Sequence, residues 1–424
     1  MAALSLGRPL RTPKYICDTC RTSLESFGSP TIGTHRAFSS ASSPNHQNIH
    51  QPTTHQYSYK RVNAEPKKNG SLFYIRRVRT YSTTSIALPP ATSGFAHLPH
   101  RRLISLSGPD TAKFLQGLIT NNVDPNRQTP FYSAFLDARG RVLWDVFVWV
   151  WPELAAEKGH WACYIEVDEQ EVEALKKHLK RHKLRSKVQI EDVSGSQVGV
   201  WAAWGSTMDE QDNNEGVIAG MRDPRAPDFH RYLFSAKTHT LVPGTEPLGV
   251  HEYQVERYRY GIAEGPAEIP RESALPMECN MDLWHGIDFK KGCYVGQELT
   301  IRTKHTGVVR KRILPIILQA TTALRDLRPE RGTDIKEVDH ESGRLKRGRA
   351  TGKFIASIGN VGLALCRLEN MTGLKVSAEG GTWKPGMRFG YEMVDGDIVE
   401  VQPVLYEWFV KRERELWDKN GKRV

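Results

Sequence analysis

No stretch of this 424-residue chain stays apolar for the ~18 residues that a membrane helix requires. Val146 to Trp151 comes nearest, and Pro152 and Glu153 end it, so membrane insertion is not expected. Cysteine is scarce: six residues, scattered, give no disulfide framework, which suits a reducing compartment. The first mixed region of strands and helices holds no G-x-G-x-x-G turn for a dinucleotide. Acid is nearly missing from residues 1–85, where Asp18, Glu25 and Glu65 face 12 Lys or Arg. The rest of the chain carries 47 basic and 45 acidic residues, so most of the net charge of +11 belongs to this leader. A nucleic-acid partner, which an overall basic balance would suggest, is therefore not expected.

The leader, 1–85, is rich in Arg, Ser, Thr and His, the composition of a mitochondrial transit peptide. A secretory signal would need a compact apolar block, and none is present. Arg36-Ala37-Phe38 before Ser39 and Arg79-Thr80-Tyr81 before Ser82 both resemble matrix-protease sites. The second is preferred, because a foldable pattern starts only near Leu88. Cys17 and Cys20 form a C-x-x-C without a second Cys or His pair at finger spacing, and they are expected to leave with the leader.

Beyond it, strands and helices alternate without a regular repeat, which predicts an α+β fold. Residues 86–200 and 201–306 are expected to build the α+β body. Arg102 to Leu106 reads as a strand, and Ser107-Gly108-Pro109-Asp110 as a helix start. Phe131–Leu136 and Val142–Val150 flank the turn Asp137-Ala138-Arg139-Gly140-Arg141 as a hairpin. Trp161 to Val167 is a strand, followed by a helix with Val172, Leu175 and Leu179 on one face. His178 and His182, four apart on that helix, read as part of a solvated basic face because no glutamate follows the first and lysines surround them. Gly205 to Asp228 reads as a polar surface loop, and Leu299 to His305 alternates like a strand. From Gly307 the short strands Ile313–Leu318, Gly352–Ile358, Gly362–Cys366 and Ile398–Val404 predict a small barrel over 307–424, with 320–349 as an exposed charged insertion.

The stretch with most chemistry is Asp288-Phe289-Lys290-Lys291-Gly292-Cys293-Tyr294-Val295-Gly296-Gln297-Glu298. Two glycines flank one cysteine, which permits unusual backbone angles and close approach. Lys290 and Lys291 favour thiolate, the form that acts as nucleophile or metal ligand. K-G-C-Y-V-G-Q-E matches the signature of a folate-binding-like family of iron–sulfur assembly proteins related to the glycine-cleavage T-protein, an aminomethyltransferase. The resemblance spans about residues 90–410. It also includes Arg222-Asp223-Pro224-Arg225, Arg257 to Gly265 and Leu275 to Met281, and 179–188 resembles a helix-to-strand passage of the T-proteins.

This resemblance implies a three-lobed T-protein-like fold with a ferredoxin-like unit and a C-terminal β-barrel around a central channel. It implies a mitochondrial matrix assembly factor that matures [4Fe–4S] proteins of the aconitase and lipoate synthase kind beside A-type scaffold proteins. A [2Fe–2S] cluster takes four ligands; Cys293 alone is credible here, so the cluster would be shared with a partner. Lys291 and Arg302 would offset its charge, and Tyr294, Gln297 and Glu298 would orient the loop. The alternative is a folate-dependent aminomethyl or one-carbon transferase holding tetrahydrofolate, with Asp145 and Glu278 as polar contacts and Arg257 beside them. Trp144 and Arg259 stand where the aminomethyltransferases carry acids, which speaks against that chemistry.

Overall fold

The computed structural model describes residues 93–205, 216–235, 246–319, 329–394 and 396–417. The leader with Cys17 and Cys20, the centre of the 205–228 stretch and residues 320–328 lie outside them. Strands β1 (Gly94–His97) and β2 (Arg101–Ser107) lead into helix α1 (Thr111–Gln116). β3 (Phe131–Leu136) and β4 (Val142–Trp149) form the expected hairpin, in which Asp137 accepts from the backbone N–H groups of Arg139 and Arg141. After α2 (Pro152–Lys158) come β5 (Cys163–Asp168), α3 (Val172–Lys183) and β6 (Gln189–Val193). These strands make one antiparallel sheet in the order β3-β4-β5-β2-β6. Helices α1 and α3 contribute Phe114, Leu115, Leu175 and Leu179 to a core with Ile104, Val146, Val148 and Ile165 of the sheet. The opposite face supplies Leu103, Tyr132, Phe147 and Trp149 to the main core. β4 is buried at all eight positions, and covering on both faces explains its unbroken apolar run.

A second sheet, β1-β7-β9-β8, is built from β7 (Val198–Trp204), β8 (Val217–Arg222) and β9 (Phe229–Ser235), with β1 pairing to β7. The polar stretch expected to be a loop therefore contains a strand, β8, whose half-exposed positions hide it from a hydrophobicity reading. Helix α4 (Val250–Arg259) precedes a long irregular passage, and α5 (Gln297–Thr306) follows the cysteine. The expected strand over Leu299–His305 is thus a helix: Gly296, at φ +80°, turns the chain into it, and only Thr300 is fully buried, so its periodicity is faint.

The C-terminal part is a closed barrel in the order β10-β13-β12-β11-β14-β15. Its strands are β10 (Lys311–Gln319), β11 (Asp334–Val338), β12 (Gly352–Ile358), β13 (Val361–Arg367), β14 (Arg388–Glu392) and β15 (Ile398–Pro403). β11 lies inside the stretch expected to be an insertion; it buries only Ile335 and Val338 and closes the barrel between β12 and β14. Short α6 (Leu368–Met371) and the terminal α7 (Glu407–Trp417) complete the fold.

Candidate functional site

The cysteine loop rests on the end of α1. The Nζ of Lys291 donates to the carbonyls of Gln116, Ile119 and Asn121 at 2.8, 2.7 and 2.8 Å and sits 4.9 Å from the Tyr294 ring centre. Its three N–H groups thereby satisfy carbonyls left over at a helix end. Burial pulls its pKa down to about 7. The lysine expected to neutralise a cluster is spent on holding the loop. Val295 N–H donates to Gly117 O and Asp288 N–H to Thr120 O. The Gln297 side chain accepts from Tyr294 N–H at 3.2 Å, an orienting role. The Tyr294 ring is buried with its hydroxyl toward Thr300, so it orients the loop mainly by packing. Glu298 and Arg302 are exposed on α5, and Lys290 and Gly292 are exposed beside the half-buried Cys293.

Gly296 carries the glycine requirement. A Cβ there would lie 2.3 Å from Asp137 O and 2.8 Å from the Leu136 side chain, so the hairpin of β3 and β4 touches the loop backbone directly. Gly292 would meet nothing within 4 Å.

The other expected residues are elsewhere. Arg257 makes a bidentate pair with Glu268 at 2.8 and 3.0 Å and donates to Ile262 O. Glu278 pairs with Lys311 at 2.6 Å, and its carbonyl accepts from Ile313 N–H, which ties it to β10. Asp145 belongs to a buried charge network that sequence reasoning missed. Arg231 grips Glu166 through Nη2 at 2.7 Å, Arg225 binds Asp223 and Glu264 at 2.7 Å each, and Arg101 donates to Glu166 at 2.8 Å. Three guanidiniums thus face three carboxylates, all buried. Glu166 and Glu264 are held below the usual carboxylate range by these arginines against the desolvation that opposes them. Asp145 is the fourth acid, and burial raises its pKa. The available signal was charge inside strands, at Glu166 and Arg231.

Folate chemistry of the transferase kind needs an ionised carboxylate open to its ligand. Asp145 is 4% exposed, accepts from Gly265 N–H at 3.0 Å, and borders a cavity of about 10 Å³, room for about one water. As placed here, Asp145 is closed to a ligand of folate size. Trp144 donates to Glu171 at 2.7 Å and packs against His178, with Arg271 above its ring. His178 is accordingly half-buried against Trp144 and Phe135 rather than solvated, and burial drops its pKa to about 4. Among the described residues no three His, Cys, Asp or Glu side chains converge as a metal site. Cys163, Cys279 and Cys366 are buried, which pushes their thiols up.

Three comparisons agree with this architecture. Residues 310–408 match the family model of the CAF17 C-terminal beta-barrel domain. The chain is similar in structure to aminomethyltransferase T of the glycine cleavage system from Bartonella henselae, with a TM-score of 0.54 and 14% identity over 76% of this chain and 87% of that one. It is 53% identical over 359 residues to a mitochondrial iron-sulfur cluster assembly factor IBA57 homolog of Phaeosphaeria nodorum, covering 81% of this chain and 87% of the relative. The Aspergillus fumigatus homolog of the same name is 42% identical over 384 residues, covering 78% and 83%. The fold, the barrel and these relatives together establish that the chain belongs to the IBA57 family of mitochondrial iron–sulfur cluster assembly factors.

Proposed function

We propose that this chain matures [4Fe–4S] proteins in the mitochondrial matrix by holding a [2Fe–2S] cluster jointly with an A-type scaffold protein, through Cys293. The observation that carries this is the contrast among the described cysteines: three are buried, and Cys293 alone is partly open to solvent, on a loop fixed from beneath. One thiolate supplies a quarter of the ligands a cluster takes, so the partner supplies the rest. Lys290 and Arg302, both exposed, are the cations left to face the cluster and the scaffold. Clients of the aconitase and lipoate synthase kind are compatible with the relatives' role in iron–sulfur assembly. The chain acts as an assembly factor without aminomethyltransferase turnover, because Trp144 is spent on packing and Asp145 is sealed.

Mixing the protein with an A-type scaffold and iron–sulfur donors tests this. Visible cluster absorbance is expected to exceed that of either partner alone and to vanish in Cys293→Ser, because an alkoxide oxygen is a poor ligand where a soft thiolate is preferred. Cys279→Ala is expected to leave the gain intact. Full client activity in cells carrying Cys293→Ser at normal abundance would refute the shared ligand.

A further inference from the structure

Helix α3 ends in a surface that the cysteine site does not use. Residues 176–187 hold Lys176, Lys177, Lys180, Arg181, Lys183, Arg185 and Lys187 and no acid. Lys176 is neutralised by Glu173 and Asp192 at 2.9 and 2.6 Å. The other six form no ion pair with any described residue, and all but the half-buried Lys183 are exposed.

Their arrangement is directional. Lys177, Lys180 and Arg181 follow the i, i+3, i+4 spacing of one helical stripe, and Leu184 is the residue that ends the helix. The opposite stripe, Leu175 and Leu179, is buried against the sheet. The basic stripe therefore faces outward from a rigidly packed helix, and it ends on Leu184.

Leu184 is costly twice over. The residue is 88% exposed, and its backbone stands at φ +46°, a region where an L side chain is strained. Glycine takes this positive φ without strain and has no apolar side chain to expose, so it would remove both costs. A strained, exposed leucine at the tip of an unpaired basic stripe has the chemistry of a peripheral contact with an anionic bilayer. The lysines and arginines meet lipid phosphates, and the leucine enters the acyl boundary. Nucleic acid would use the charges but would leave a projecting leucine in water.

We propose that the α3 terminus, Lys177 to Lys187, is a peripheral docking surface for an anionic lipid membrane, with Leu184 as its apolar insertion point. The same leucine separates a bilayer from other polyanions, because only the bilayer offers it an apolar destination.

Flotation of the protein purified from mitochondria, with vesicles of phosphatidylcholine alone or of phosphatidylcholine and cardiolipin, tests the surface. Binding is expected with cardiolipin only, and to weaken in high salt. Lys177→Glu, Lys180→Glu and Arg181→Glu together are expected to lower it about hundredfold. Leu184→Gly is expected to lower it about tenfold while raising the melting temperature, since glycine takes this φ without strain. A loss of lipid binding with a gain in stability excludes unfolding as the cause. The proposal is overturned if the triple variant floats as well as the parent. It is equally overturned if a short RNA duplex binds, cardiolipin vesicles do not, and Leu184→Gly changes neither.

Discussion

Lys291 and Asp145 are both polar groups withdrawn from water, and their surroundings treat them oppositely. The lysine finds three carbonyls, while one Asp145 oxygen has no hydrogen-bond partner and lies 3.9 Å from Arg101. Asp145 is the carboxylate whose ionisation the fold disfavours, whereas Glu264 is held ionised by Arg231, Arg225 and Arg101. The pH dependences are therefore opposed. Glu264 contributes stability above its unfolded pKa, and that is lost as pH falls through its depressed folded value. Asp145 binds its proton more tightly when folded, so it favours folding in acid and disfavours it as pH rises through the raised value. At neutral pH Asp145→Asn is expected to change stability by less than about 1 kcal/mol, in the stabilising direction. Glu264→Gln leaves buried arginine charge unpaired and is expected to cost about 3 kcal/mol or more. Urea unfolding of both variants at neutral and acid pH measures this, and a stronger loss in Asp145→Asn than in Glu264→Gln would contradict the charge count. Little of this network was legible in the sequence, because its pairs to Glu166 and Glu264 span 65 and 39 residues; only Asp223 and Arg225 stand close together, two apart in one motif. The cysteine and Gln297 were legible because they form one contiguous stretch.

At the scale of elements, the loop and the hairpin are one construction. Gly296 starts α5 and lets the β3–β4 turn approach, while Gly140 of that turn, at φ +78°, lies under Leu299. Gly296→Ala is expected to destabilise the protein by about 2–3 kcal/mol, since strain at a special φ is joined by a backbone clash. Gly292→Ala is expected to change stability by less than about 0.5 kcal/mol. Thermal melts give the ranking, and iodoacetamide labelling of Cys293 should accelerate in Gly296→Ala only; equal behaviour of the two variants would show that the contact does not fix the loop. The same elements show where a sequence reading succeeds. Runs that are buried on both faces, such as β4, or that bury most of their length, such as β10, announce themselves. β11 and β8 do not, because a barrel or an edge strand buries few positions and keeps its charges outward. α5 was misread because Leu299, Ile301 and Thr303 mimic a period of two, and a helix lying half on the surface offers no stronger stripe.

For the whole described body, the cysteine loop is held from two sides, which makes the barrel a partner in the site. On one side stand α1 and the hairpin. On the other, Arg312 at the start of β10 grips Asp282 at 2.8 Å through both terminal nitrogens, and Trp417 at the end of α7 donates to the same carboxylate at 2.8 Å. The Trp417 ring meets Phe289 edge-on at 6.4 Å, four residues before Cys293, and Lys304 of α5 lies over both rings. Lys304 also donates to Leu416 O, so the last turn of α7 is tied directly to the helix that follows the cysteine. Removing the indole leaves Asp282 short of a donor and opens a cavity between Phe289 and Lys304. Trp417→Ala is expected to cost about 3–5 kcal/mol, whereas Trp417→Phe keeps the ring contacts and loses only the hydrogen bond, about 1 kcal/mol. The informative quantity is the alkylation rate of Cys293 under conditions where each variant is still folded by circular dichroism. It should rise in Trp417→Ala and stay near the parent rate in Trp417→Phe. An unchanged rate in Trp417→Ala would mean that the N-terminal contacts alone hold the loop and that the barrel is only attached to it.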